Sequence, residues 1–165
     1  MSDPKSRGLG LLLAAGLAVV GTAQATTLTK MHVDDMAVTA DTVIVGQLAG
    51  QETIHDGGAI SRLLTFTVEE AVTGKPGERV MVTLPGGSIE TAGIRVGEVN
   101  AGVPVFTLDS SSVLFLTETD ADGHRQILGF SQGSFAISNG EVQVSDLGAT
   151  LSLADFKARI KAHAQ

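Results

Sequence analysis

The chain has no cysteine, no tryptophan and no tyrosine among its 165 residues. Without cysteine there are no disulfide staples, no thiol catalysis and no thiolate metal site. Six Phe are the only aromatics, so the core must be built mainly from Val, Leu and Ile. That favours strands, where branched side chains pack well on a pleated surface. The twenty Gly point to many tight turns, because Gly accepts positive φ without steric cost. The length suits one domain and is short for two.

The first 25 residues have the layout of a secretory signal peptide. Lys5 and Arg7 form a basic flank, and Leu9 to Val20 form an apolar run too short for a stable membrane span. Ala23-Gln24-Ala25 supplies a small-x-small cleavage site, so the mature chain is expected to start at Thr26. No cysteine follows the run, which excludes a lipoprotein anchor, and cleavage leaves no stable membrane anchor. Cleavage removes two of eleven cationic and one of eighteen acidic residues, leaving the remainder at −8. An acidic exported chain is a poor partner for nucleic acid or anionic lipid. The expected location is the periplasm or the extracellular medium, with residues 26–165 forming one β-rich domain.

Along that domain, Thr26 to Asp41 reads as a short helix. Leu28, Met31, Met36 and Ala40 share one face there, with Asp34 and Asp35 exposed. Thr42 to Ala49 reads as a central strand. In Arg62 to Val72, Leu64, Phe66 and Val68 alternate with Thr65, Thr67 and Glu69, a period of two. The Glu69-Glu70 doublet breaks the alternation and marks a bulge or a strand end. His55-Asp56-Gly57-Gly58 reads as the loop between these strands, and Thr73 to Gly77 as a turn. Arg79 to Leu84 alternates again, with Val80, Val82 and Leu84 inward, and Pro85-Gly86-Gly87 ends it.

Ile94 with Val96, and Val103 to Phe106, are candidates for short strands separated by a glycine-rich loop. Ser112 to Thr117 reads as a buried strand, Asp120 to Gly123 as a turn, and Gln126 to Phe130 as the returning arm of a hairpin. Ser134 to Ile137 and Val142 to Val144 flank Asn139-Gly140, a strong hairpin turn. In the tail, Ser152 and Asp155 form a capping-box-like pair. Leu153, Phe156 and Ile160 form an apolar stripe that should lie on the barrel. Asp155 and Arg159 are an i,i+4 pair on the exposed side, and Lys157, Arg159 and Lys161 should stay in solvent. The fold class is mainly β: a small antiparallel barrel with a short N-terminal and a C-terminal helix, or a sandwich.

Nothing in the sequence assembles a recognisable catalytic set. His32, His55, His124 and His163 include no pair at metal-ligand spacing. Ser110-Ser111-Ser112 and Ser134 lack a G-x-S-x-G elbow. Gly86, Gly87 and Gly97 form no phosphate-binding loop, and Pro76 interrupts any helix start after Gly74-Lys75. Asp120-Ala121-Asp122-Gly123 opens like a calcium loop, with Glu118 or Asp109 as further oxygen donors. Arg125 and apolar strand residues follow it instead of a distal Glu, and a hairpin turn is the simpler reading. No catalytic, cofactor-binding or metal-ligating residue is nominated.

Certain residues carry a resemblance: Ala40 to Gly46 (ADTVIVG), Phe66 to Thr73 followed by Gly74-Lys75-Pro76, Pro85-Gly86-Gly87, Val113 to Thr117, and Gly129 to Phe135 (GFSQGSF). Their order over residues 28–160 resembles a family of exported bacterial proteins that brings no known activity. The AD-x-V-x-x-G, V-x-E and G-K-P portions are also similar to netrin-like domains, including the tissue inhibitors of metalloproteinases. That similarity implies an oligonucleotide/oligosaccharide-binding (OB) type of barrel with a terminal helix. Those inhibitors reach a protease zinc through an N-terminal cysteine. Thr26 stands in that place here, so the inhibitory mechanism does not carry over. The expected function is a non-enzymatic exported interaction module for a protein or glycan. The alternative is an inhibitor of an extracellular hydrolase or protease.

Overall fold

The computed structural model describes residues 29–56 and 59–164. The expected leader, its cut after Ala25, and Leu28 lie outside the described residues. The described residues are mainly β with two α-helices. A short helix α1 (Val33–Thr39) leads into two long strands, β1 (Thr42–Asp56) and β2 (Ala59–Thr73). Next come β3 (Arg79–Pro85) and the hairpin strands β4 (Gly87–Thr91) and β5 (Ile94–Glu98). After them run β6 (Ser111–Leu116), a two-residue β7 (His124–Arg125) and a 3-10 turn at Phe130–Gly133. The chain ends with β8 (Ser134–Ser138), β9 (Glu141–Val144), β10 (Ala149–Ser152) and α2 (Leu153–His163).

Eight strands form one sheet in the order β10-β9-β8-β6-β1-β2-β3-β7, and β4 and β5 form a separate pair. The sheet has two ends, β10 and β7, so hydrogen bonding does not close it into the expected barrel. Neighbouring strands are antiparallel except β3 and β7, which are parallel at Met81↔His124 and Val82↔Arg125. Gln126 to Phe130 does not return as a full strand. It makes one bridge, Leu116↔Ile127, and two flanking backbone bonds, before bending into the 3-10 turn. Val103 to Phe106 is not a strand either. Val103 and Phe106 instead pack their side chains against the core.

Strands β1 and β6 lie at the centre and are buried on both faces. On one face, Ile44, Leu48, Leu114 and Leu116 meet Leu64 and Phe66 of β2, then Val80, Val82 and Leu84 of β3, and Ile127. Phe66 is fully buried beside Leu64, as its alternation predicts, and Phe106 packs edge-on against it at 5.2 Å. On the other face, Val43, Val45, Val113 and Phe115 meet α1, α2, β8 and β9. Phe115, Phe135 and Phe156 pack there with steeply inclined rings, their centres 5.0 to 6.4 Å apart.

Bulges decide which face the ends of the long strands serve. Val45 pairs with Glu70 and Gly46 with Val68, so Glu69 is the extra residue. The doublet is therefore a bulge, and β2 runs on to Thr73. The shift turns Glu70 toward α2, where Lys157 takes its carboxylate. Strand β1 continues seven residues past Ala49, the expected end. Another register shift between Leu48 and Gly50 accommodates it.

The two helices cover the second core. In α1, Val33, Met36 and Ala37 are buried, while Met31 and Ala40 are partly buried. Asp34 is half-buried and not free in solvent. In α2, Phe156 and Ile160 are buried and Leu153 packs at the edge. Burying Phe156 contributes about 1.5–3 kcal/mol. Ser152 caps this helix: its Oγ accepts from Asp155 N–H at 3.1 Å and donates to Asp155 Oδ2 at 2.7 Å. No described helix is long and apolar enough to cross a membrane.

Candidate functional site

The motif residues meet at one end of β1, and their tasks there are structural. Asp41 accepts from the Arg125 guanidinium and from Thr42 Oγ1. Arg125 also donates to the Thr117 carbonyl at 2.7 Å, tying β7 to the end of β6. The Arg125 hydrogen bond is the main cause that holds the Asp41 carboxyl below the usual range. Thr73 Oγ1 accepts from Val43 N–H at 3.0 Å. Gly74 has φ of +75°, and a Cβ there would come within 2.9 Å of the Asp41 carbonyl. The Ala40-Asp41-Thr42 and Gly74-Lys75-Pro76 portions thus pack against each other, and only Gly fits at the crossing. In Gly129 to Phe135, Gln132 clamps the start of the described chain. Its Oε1 accepts from Met31 N–H at 2.9 Å, and its Nε2 donates to the Thr29 carbonyl at 3.1 Å.

Two of the four His share the helix side, near Asp34, and the others lie elsewhere. His32 and His163 lie on the helix side, where His32 Nδ1 is 3.4 Å from Asp146 and His163 Nδ1 is 3.7 Å from Asp34. His55 is exposed near the tip of β1, and His124 sits in β7. Ser112 is buried, Ser111 Oγ donates to Glu69, and Ser110 Oγ donates to the Thr107 carbonyl. Ser134 begins β8. The Asp120 carboxylate accepts from Asp122 N–H and His124 N–H, closing its own turn. Among the described residues no group of three or more His, Asp or Glu comes close enough to hold a metal ion.

Charge pairs gather on the helix side. Arg159 makes two bonds to Asp34, at 2.7 and 2.6 Å, and Lys157 donates to Glu70. Hydrogen bonding to Arg159 and to Lys157 lowers the Asp34 and Glu70 carboxyls respectively, against a smaller opposing effect of burial. The Asp34 bond likewise raises Arg159. The expected pairing of Asp155 with Arg159 does not form. Asp155 is engaged by the cap, and Arg159 reaches α1. Lys157 and Arg159 are thus ion-paired and partly covered.

The surface has one apolar concentration that sequence reasoning missed. Of nine large apolar side chains exposed among the described residues, five lie between residues 94 and 108: Ile94, Val96, Val99, Val105 and Leu108. In the β4–β5 hairpin Ile89 pairs with Val96, and Ile94 lies two positions along β5, so all three share a face. Glu90 and Arg95 oppose each other on the reverse face. The signal was present as alternation in Ile94-Arg95-Val96. The sequence could not show that this face is left exposed among the described residues.

The described surface also carries grooves, two of which bear on binding. One, of about 560 Å³, lies over β8 and β9 and is lined mainly by hydroxyl and amide side chains, among them Gln132, Ser134, Ser138, Asn139 and Gln143. The other, of about 440 Å³, lies between β3 and residues 126–130. No known family model matches this chain, and no curated protein matches it.

Proposed function

We propose that this protein is an exported, non-enzymatic binding module of the periplasm or extracellular space, with a protein or glycan as its partner. The observation that carries the reading is the apolar face of the β4–β5 hairpin with the loop after it. Ile94 is 66% exposed, Val99 97% and Val105 88%. A two-stranded hairpin is marginal by itself in water, and an uncovered apolar patch favours a partner. Export rests on the basic flank, apolar run and Ala23-Gln24-Ala25 of the leader.

The alternative, an inhibitor of an extracellular hydrolase or protease, draws support from the strand pairings. β1, β2 and β3 form a meander, and β7 runs parallel to β3. The Leu116↔Ile127 bridge then leads back to β6, which lies beside β1. That circuit favours a partly open, OB-type and netrin-like arrangement around the Phe66 core.

The test has two arms. Sequencing the exported protein should give Thr26 or a residue near it as the N-terminus, and an intact Met1 would end the export reading. Capture from the native envelope or medium should recover a partner that is lost with the Ile94→Ser/Val96→Ser variant. Equal recovery with both baits would remove the hairpin as the binding face. Inhibition of a panel of extracellular proteases and glycosidases would favour the alternative.

A further inference from the structure

The groove between β3 and residues 126–130 has features that packing alone does not explain. The ladder between β3 and β7 covers Met81 and Val82 only. Beyond it the two segments part, because Ile127 turns away to bridge Leu116. Backbone groups alternate sides along a strand. Gly86 N–H bonds the Ile60 carbonyl and Val68 N–H bonds the Glu78 carbonyl, so even-numbered residues of β3 face β2. The carbonyls of Thr83 and Pro85 therefore face the groove, and Pro85 has no N–H to offer. This stretch of edge presents acceptors and wants donors.

Three further features agree. Thr83 lines the groove, and its Oγ1 is buried with no hydrogen-bond partner. Such a hydroxyl costs stability. Phe130, at the opposite rim, follows Gly129 in the left-handed region and has φ of +57° itself. That conformation is strained for an aromatic residue, and strain of this kind gathers at binding sites. Finally, every side chain lining the groove is uncharged, in a chain with eighteen acidic residues.

We propose that this groove binds an extended, uncharged peptide segment along the edge of β3. The peptide's backbone N–H groups bond the Thr83 and Pro85 carbonyls. One apolar side chain lies against Ile127, Leu128 and Phe130. A polar group of the peptide meets the Thr83 hydroxyl once that side chain rotates to a neighbouring staggered position. The orphan hydroxyl and the strained Phe130 are then costs borne by the free protein and recovered on binding.

The probe is acetyl-Thr-Val-Leu-Thr-amide, titrated into the full chain and followed by NMR. The expected result is saturable shifts at Thr83, Ile127 and Phe130, with affinity falling at least about tenfold when the peptide nitrogens of one alternate pair (first Thr and Leu, or Val and last Thr) are methylated. Thr83→Val should raise the melting temperature and weaken binding several-fold. Phe130→Gly should leave the melting temperature unchanged or higher and also weaken binding. No shift at these residues, or unchanged affinity of both methylated peptides, overturns the proposal. So does a Thr83→Val variant that is more stable and binds equally well, because the hydroxyl then serves no ligand. Binding that persists in the Ile94→Ser/Val96→Ser variant separates this groove from the hairpin face.

Discussion

The two faces of the β1–β6 pair are completed in different ways. The face around Phe66 is finished by strands and by loop side chains, with Phe66 and Phe106 as its aromatic pair. The face around Phe156 is finished by two helices, three Phe with inclined rings and a rim of ion pairs. Strands that share one face fix one another through the ladder. Helices have no ladder to the sheet, so their position depends on side chains alone. Covering one face of a β pair with helices therefore requires specific long-range contacts, and Asp34–Arg159 and Glu70–Lys157 supply them between distant parts of the chain.

The severest way to break this contrast is to remove the helical cover. Deleting residues 151–165 takes away Phe156 and Ile160 and should expose Val113, Phe115 and Val142. Thermal unfolding should move to markedly lower temperature, and light scattering should detect association. An unchanged melting temperature with a monomeric truncation would mean that the helix face does not depend on α2.

Next in size is the strand face. Phe66→Ala should cost about 3–5 kcal/mol in a urea titration, through lost burial and a residual cavity. A loss below about 1 kcal/mol would show that the strands close the gap, and the two faces would then differ less than their packing indicates. Ser152→Ala acts on the helix face only. Loss of the Asp155 cap should cost about 1 kcal/mol.

The rim of charges sharpens the comparison through pH. Asp34 and Glu70 have folded-state carboxyls held below their ordinary values of 3.8 and 4.5. A lowered carboxyl contributes stability above its unfolded value and loses it as pH falls through the folded one. The urea midpoint should therefore drop below about pH 4.5. Glu70→Gln and Asp34→Asn should each flatten that drop. These pairs are partly exposed, so for Glu70–Lys157 the effect at neutral pH should stay under about 1 kcal/mol. A variant with the same acid slope as the parent would assign the loss to other carboxylates. Smallest of all, Ile94→Ser/Val96→Ser should change stability by less than about 0.5 kcal/mol, because both side chains are exposed.

Local patterns were legible in the sequence because their causes are local. Alternation in Leu64, Phe66 and Val68 placed these residues inward, since a strand's period is two. Asn139 and Gly140 adopt φ of +52° and +76°, the turn their side chains permit. Ser152 capped α2 because its partner Asp155 lies three residues on.

What only the tertiary structure decided is which partner each surface meets. Period two says that two faces of a strand differ, but it cannot say that β1 and β6 are covered on both sides. Arg159 chose Asp34, 125 positions away, over Asp155 four positions away. The choice follows because α1 and α2 pack together and the cap already occupied Asp155. Alternation in Ile94 and Val96 predicted a strand, yet whether its apolar face is covered depends on chain elements far from it. The parallel pairing of β3 with β7 and the groove beyond Val82 have the same origin. They arise where two long-range pairings of one short segment, to Val82 and to Leu116, pull it in different directions.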